Sequence, residues 1–264
     1  MPFDRSAFDA YFAQGDAPAG SRIAELELGR VPAHIAVIMD GNGRWAKLRG
    51  KPRGFGHAAG VEALKEVITA CVRLDVKALT VYAFSTENWT RPREEVELLM
   101  GLFASTLIEE LPLLMREHVR LQYLGDMDEL PADTRETFER GLRETAANDG
   151  MVLAVAVNYG SRAEIARAAR MLAQRVEAGE ISPDDVTEEA LGRGMYTWPL
   201  PDPELLIRTS GERRLSNFLL WQLCYTEFVF SDVLWPDYGR WDLVEAIVDY
   251  QSRHRRFGGV EDDG

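Results

Sequence analysis

The chain has 264 residues, 46% of them hydrophobic and 28% charged, with a formal net charge of −13. That length suits one large domain or two small ones with a sizeable core, and the acidic balance excludes a general nucleic-acid binder, which needs a basic face. No run of about 18 apolar residues is present, so no membrane-spanning helix is expected, and the N-terminus lacks the basic start and apolar block of a signal peptide.

Residues 1–30 read as a polar, partly helical lead-in broken at "GDAPAG". Ile35 to Met39 is short, continuous and rich in β-branched residues, as in a strand buried on both faces. It runs into Asp40, Gly41, Asn42, Gly43 and Arg44, where the glycines allow a sharp turn and a close backbone approach to a ligand. From Ala58 to Leu74 the apolar spacing is helical, with Val61, Leu64, Val67, Ile68, Cys71 and Val72 on one face. A second buried strand, "ALTVYAF" (78–84), ends in "STENWTR". Pro92 can start a helix whose first turn carries Glu94 and Glu95 and which runs toward Pro112. A strand at 119–125, an amphipathic helix at 132–147 and a buried strand at 151–160 follow. "SRAE" (161–164) reads as a capping box opening a helix that Gly179 can close. Short strands at 203–212 and 226–232 precede a last helix at 240–253. Apolar strands alternating with helices predict a single α/β domain with a mainly parallel sheet covered on both faces. Cys71 and Cys224, isolated in apolar patterns, are expected to be buried free thiols of a cytosolic protein.

Three strands end in polar residues: Asp40 and Asn42; Ser85, Glu87 and Asn88; Arg208, Ser210 and Glu212. In an open α/β sheet such ends can converge on one crevice. Between Gly41 and Val61 there is no acid, yet Arg44, Lys47, Arg49, Lys51 and Arg53 fall there, with His57 following. Arg208, Arg213 and Arg214 form a second basic group and "SRHRRFGG" (252–259) a third. On an acidic chain these clusters favour a multiply charged anionic ligand. There is no Walker A motif, no zinc-like Cys/His spacing and no nucleophile elbow. Chemistry therefore rests on carboxylates, arginines and a metal-bound anion.

"HIAVIMDGNGRWAKLRG", "GHAAG", "YAFSTENWTRP", "NYGSR", "LIRTSGERRLSNFLLWQLCYTEFVF" and "LWPD" together resemble the cis-prenyltransferases, in that family's order and spacing from about residue 33 to 259. The resemblance implies a domain over 31–259 with a hydrophobic product tunnel, followed by an acidic tail at 260–264. It implies repeated addition of isopentenyl diphosphate, in Z configuration, to an allylic diphosphate such as farnesyl diphosphate. The product expected is a long-chain polyprenyl diphosphate such as the undecaprenyl carrier lipid of cell-wall synthesis; a short-chain synthase, a non-catalytic partner subunit and a plain phosphate-binding module are the alternatives.

By the same resemblance Gly41, Asn42, Gly43, Arg44, Trp45, Arg53 and His57 hold the allylic diphosphate, and Asp40 binds Mg²⁺ that steadies the departing diphosphate. Asn88 lies near the condensing carbons, with Ser85, Glu87, Trp89 and Arg91 as companions. Arg208, Arg214 and Ser216 match the isopentenyl diphosphate site, and Glu227 a second carboxylate linked to the metal. Trp89 can equally be a packing residue and Glu227 a structural acid at a strand start. Arg213 stands where some members have histidine and cannot ligate a metal. Arg256 falls in an Arg-x-Gly motif that implies a homodimer in which the tail reaches the neighbour's site. A cytoplasmic enzyme is expected, with transient contact at the inner membrane face because its product is greasy.

Overall fold

The computed structural model describes residues 3–15 and 17–253. The core of the molecule is a six-stranded sheet in the order β3-β4-β2-β1-β5-β6, with every pairing parallel. The strands are β1 (His34–Ile38), β2 (Ala78–Ser85), β3 (Arg120–Leu124), β4 (Val152–Tyr159), β5 (Leu205–Arg208) and β6 (Glu227–Phe230). β1 and β5 are buried along their whole length, which explains why both read as unbroken apolar runs rather than alternating ones.

The helices are α1 (Arg5–Phe12), α2 (Asn42–Leu48), α3 (Arg53–Arg73), α4 (Arg93–Arg116), α5 (Ala132–Thr145), α6 (Ser161–Glu177), α7 (Glu188–Arg193) and α8 (Arg240–Gln251). One face of the sheet, through Ile35, Val37, Leu79, Val81 and Leu153, packs on α3, α4 and α8 by way of Val67, Leu107, Leu114 and Ile247. The opposite face carries Ala36, Ala154 and Ala156, and these small side chains leave room for Tyr159 and Phe218. Each large apolar side chain removed from water contributes roughly 1.5–3 kcal/mol, so both covered faces hold the sheet.

β1 lies between β2 and β5, with Ile38 in register with Tyr82 on one side and Arg208 on the other. The chain leaves β1 toward β2 and later returns to add β5 on the other flank, so the topology reverses between β1 and β5. Ligands of open parallel sheets bind at that reversal, outside the carboxyl ends of the strands.

Several local expectations are corrected. The glycine turn expected after Asp40 passes at once into α2, and Gly56 and Gly60 of α3 let its backbone lie close. A Cβ at Gly56 would collide with the Asn42 carbonyl, and one at Gly60 would sit 2.6 Å from Asn42 Oδ1. α4 continues past Pro112 to Arg116. Proline deprives the carbonyl four residues earlier of its donor, and that residue, Ile108, is exposed, so water can take the place. The same helix is long and apolar enough to cross a membrane by length and composition alone, with a mean hydropathy of 1.6 over 18 residues. A search for an unbroken apolar run passes over it because Ser105, Glu109 and Glu110 interrupt the pattern. Ser161 is not the cap of α6: Gly160 occupies that position, and buried Glu164 accepts from the Tyr159 hydroxyl at 2.5 Å and the Tyr196 amide at 2.7 Å instead of reaching back. Cys71 is buried as expected, but Cys224 is exposed, because 217–225 is a series of turns rather than part of one apolar element.

Candidate active site

Asp40 follows β1 after Met39, and Gly41 after it takes φ 113°, a conformation open to glycine at little cost, to turn the chain into α2. Gly43 has a different task. It lies inside α2, and a Cβ there would stand 2.9 Å from Arg53 Nε, so the missing side chain lets Arg53 fold over the turn. The Asp40 amide donates to Thr209 Oγ1 at 3.0 Å, and that hydroxyl donates back to the Asp40 carbonyl at 2.6 Å. This double bond of side chain to backbone ties the end of β1 to the residue after β5.

Asp40 Oδ2 accepts from Arg208 Nη2 at 2.9 Å, and Arg208 is only 3% exposed. The second guanidinium nitrogen donates to Ser216 Oγ at 2.9 Å and to the Arg214 carbonyl. Arg44 stands 3.7 Å from Asp40 Oδ1, donates to the Ser210 carbonyl at 3.0 Å and meets Glu212 at 3.2 Å. Glu212 also pairs with Arg214. Asp40, Arg208, Arg214, Glu212 and Arg44 thus close into a ring with three cations and two carboxylates.

On the other side of Asp40, Arg91 and Arg53 share one carboxylate, Glu95, at 3.0 and 3.4 Å. His57 receives the Asn42 amide at Nδ1 at 3.4 Å. Burial first, and then the charges of Arg91 and Arg53, push the His57 pKa down to about 4. The ring is therefore neutral near pH 7, and with Nδ1 accepting, its proton sits on Nε2, a buried atom without a hydrogen-bond partner. Asn42 Oδ1 is buried and unpartnered as well.

Two cavities meet here. One, of about 420 Å³, runs beneath α3 and α4 over Val81, Phe103, Leu107, Leu114, Phe138 and Leu153. The other, of about 590 Å³, is lined by Arg44, Lys47, Lys51, Arg53 and Arg91, with Asp40 as its one carboxylate. They share Met39, Asp40, Asn42, His57 and Arg91. A mainly apolar tunnel, with Lys65 and Glu110 on its wall, thus adjoins a cationic chamber at Asp40.

The structure brings Asp40, Gly41, Asn42, Gly43, Arg44, Arg53, His57, Ser85, Asn88, Arg91, Arg208, Arg214 and Ser216 to this pair of cavities. Asn88 accepts from the Ser85 amide at 3.0 Å, which fixes the turn after β2. Four residues sit elsewhere. Trp45 donates to Asp237 at 2.6 Å, stacks on Phe55 and lies under Arg49, facing away from both cavities. Glu87 is held by Asn217 at 2.9 Å. Trp89 packs edge-on against Phe84 and donates to Asn158 at 2.7 Å, which is the packing role.

Glu227 stands apart within this chain. It pairs with Leu205 at the amino end of β5, three residues before Arg208, so parallel register puts it at the end of the strands opposite to Asp40. There it meets Arg253 at 2.9 Å. Within this chain it does not reach Asp40. Arg256 lies outside the described residues.

Sequence reasoning missed Glu95 and Glu212 as partners of the arginines, while Lys47 and Lys51 of the acid-free basic stretch do line the chamber. Glu95 had a usable signal, since Arg91 and Glu95 are four residues apart at a helix start; Glu212 meets Arg44 only through the fold. A metal at this site would find one hard carboxylate, Asp40. No group of three or more His, Cys, Asp or Glu is assembled among the described residues. That donor set fits Mg²⁺, which keeps water and takes phosphate oxygens from its substrate rather than a full protein cage.

A family model described as "Putative undecaprenyl diphosphate synthase" matches residues 38–258. An isoprenyl transferase from Heliobacterium mobile is 50% identical over 90% of this chain and 91% of its own length. One from Porphyromonas gingivalis is 51% identical over 86% and 90%. Among solved structures, lavandulyl diphosphate synthase from Lavandula x intermedia, in complex with dimethylallyl diphosphate, superposes with a TM-score of 0.86 at 38% identity, covering 88% of this chain and all of that one.

Proposed function

Because the chain belongs to the isoprenyl transferase family, we propose that it is a cis-prenyltransferase that condenses isopentenyl diphosphate with an allylic diphosphate, farnesyl diphosphate in the first instance, and repeats the step to a long-chain polyprenyl diphosphate. One observation carries this reading: a mainly apolar tunnel joined at Asp40 to a chamber with five cations and one acid. Only an amphiphile with a multiply charged head and an apolar tail fills both.

In this reading the allylic diphosphate lies against Arg44, Arg53 and Arg91, and the neutral His57 donates to it from Nε2. Lys47 and Lys51 add charge at the wall. The allylic tail enters the tunnel under α4, where water is excluded. Isopentenyl diphosphate binds at Arg208, Arg214 and Ser216, so the two heads flank Asp40. As the allylic C–O bond breaks, negative charge grows on the leaving oxygen, and guanidinium groups already in place lower the barrier without reorganising. Mg²⁺, held by Asp40 with phosphate oxygens and water, supplies further neutralisation of that charge when bound. Asn88 fixes the turn beside the condensing carbons. The isopentenyl C3=C4 electron pair forms the new bond from C4 to the allylic C1 as diphosphate leaves. C2, beside the cation so formed at C3, then gives its proton to the released diphosphate, which leaves a Z double bond between C2 and C3.

Arg208 has two tasks here, anchoring Asp40 with one nitrogen and Ser216 with the other. The exposed Tyr225 and Phe230, on the 218–235 stretch, support a homodimer. The reading places the enzyme in the cytoplasm, with transient contact at the inner membrane face for its greasy product.

The test uses purified protein, farnesyl diphosphate, labelled isopentenyl diphosphate and Mg²⁺, with products sized by chromatography. Long-chain product bears the reading out, a single addition makes the chain a short-chain synthase, and binding without consumption of label reduces it to a phosphate-binding module. Asp40→Ala should bind isopentenyl diphosphate yet turn over at least a hundredfold more slowly, a loss of ~3–4 kcal/mol of leaving-group stabilisation.

A further inference from the structure

"NYGSR" (158–162) is singled out by the sequence, yet none of its residues carries a part in the chemistry above. Its place in the fold is between two loops that do. One is the turn Thr86–Thr90, which bears Asn88. The other is the 210–219 loop, which bears Arg214 and Ser216. The side chain that joins them is Asn217.

Asn217 Nδ2 donates to Glu87 Oε1 at 2.9 Å. Its Oδ1 accepts from the Arg162 amide at 2.9 Å, and its carbonyl accepts from the Ser161 amide at 2.8 Å. These two amides open α6 and have no partner within the helix, so Asn217 caps α6 from another loop. Ser161 Oγ in turn accepts from the Leu220 amide at 2.9 Å. The orientation of the Asn217 amide is therefore determined. A backbone N–H can only donate, so the oxygen must face Arg162 and the nitrogen must face Glu87.

Space and strain agree with this clasp. A Cβ on Gly160 would stand 2.6 Å from Thr86 Oγ1 and 2.8 Å from Asn217 Nδ2, so glycine there lets both loops close on the end of β4. Ser216, Asn217 and Leu219 hold φ values of 50°, 61° and 46°. Serine and leucine adopt that region only when their surroundings enforce it. Glu87 also accepts from Thr86 Oγ1 at 3.3 Å. Burial acts to raise its pKa, but the Asn217, Ser85 and Thr86 bonds outweigh this and lower it, so it stays a charged acceptor.

We propose that Asn217 is a positioning residue that locks the Asn88-bearing turn to the Ser216-bearing loop, so that the two substrate sites are set at a fixed separation. This rests on the proposed function for the meaning of the two loops, but not for the existence of the clasp. Asn217 touches no substrate. It acts through Glu87 on the neighbouring Asn88, and through the backbone on the neighbouring Ser216, which holds Arg208.

The test exchanges donor and acceptor. N217D keeps an oxygen for the Arg162 amide and turns the other toward the Glu87 carboxylate, replacing a bond by repulsion. E87Q/N217D restores a bond in the opposite sense, from the glutamine amide to the aspartate. N217D should lower kcat about tenfold or more, the scale of a lost bond to a charged group, with both Michaelis constants changed far less and the melting temperature little affected. The double variant should regain most of that loss. A double variant no faster than N217D, or an N217D enzyme within twofold of the parent, overturns the proposal. Amide exchange gives a readout free of catalysis: residues 86–90 should exchange faster in N217D and slow again in the double variant. If the parent itself makes no product, the proposed function fails, and unchanged exchange in N217D then overturns the clasp as well.

Discussion

Arg208→Ala removes the guanidinium on which both Asp40 and Ser216 depend. The pair it breaks is short, at 2.9 Å, and its cationic half is 3% exposed, while the Asp40 side chain keeps 29% of its exposure. Losing one partner of a fully buried pair costs ~3–5 kcal/mol. Asp40 retains part of its hydration, so the expected loss here is ~2–3 kcal/mol. For a chain of this length about 2–4 °C of melting temperature go with each kcal/mol, which gives a fall of roughly 4–12 °C. Asp40→Asn leaves Arg208 with a neutral acceptor and should cost less. The double variant Arg208→Ala/Asp40→Asn no longer strands a carboxylate, and its loss of stability should fall short of the sum of the single losses by at least ~1.5 kcal/mol. Urea unfolding of the four proteins, followed by far-ultraviolet circular dichroism, measures that coupling. If the two losses simply add, to within ~0.5 kcal/mol, the carboxylate does not rely on the arginine. The ring described around Asp40 would then be an arrangement without energetic content.

Further outcomes are expected. Arg214→Ala should raise the Michaelis constant for isopentenyl diphosphate more than that for the allylic primer, and Arg53→Ala the reverse, in steady-state kinetics; equal effects would dissolve the division into two head-group sites. His34 and His57 both have pKa values lowered to about 4, chiefly by burial, so between about 6.5 and 4 the unfolded chain binds protons that the folded one refuses. Each ring then costs stability as pH falls through that window, up to roughly 3 kcal/mol below pH 4, and His34→Gln should flatten the slope of unfolding free energy against pH; an unchanged slope would refute it. A chelator should abolish turnover and Mg²⁺ restore it, whereas full activity in excess chelator at saturating substrate rules out the metal. Asp40→Ala mixed with a chain truncated after Arg253 should regain activity once subunits exchange, if Arg256 serves the neighbouring site; confirmed exchange with no activity argues that it does not.

The strands and the longer helices were legible because burial on both faces leaves an unbroken apolar run, and burial on one face leaves a period of 3.6. α2 was not, since Asn42 to Leu48 has no apolar period and is helical because α3 offers it a glycine-lined seat. The place of Glu227 was hidden for a related reason: a motif records which residues accompany one another, whereas only the strand register puts it at the amino end of its strand, away from Asp40 within the chain. The cations of the site could be read one by one. Of their carboxylate partners only Glu95 left a local signal; Glu212 left none, because it and Arg44 are 168 residues apart and meet only where β1 and β5 lie side by side.

The glycine seat beneath Asn42 bears on how the enzyme meets its substrate. Gly56 and Gly60 press so near to Asn42 that neither its backbone nor its amide has an alternative place to go. Ordering a loop around a ligand draws on the free energy of association, and a site that is only sometimes competent binds more weakly by that fraction. Here the two glycines confine the first turn of α2 by sterics that do not depend on a ligand. Affinity for the head group should then change little with cosolvents that rigidify loops. Gly60→Ala, which puts a Cβ 2.6 Å from Asn42 Oδ1 and so forces that amide to move, should weaken head-group binding although residue 60 itself touches no ligand.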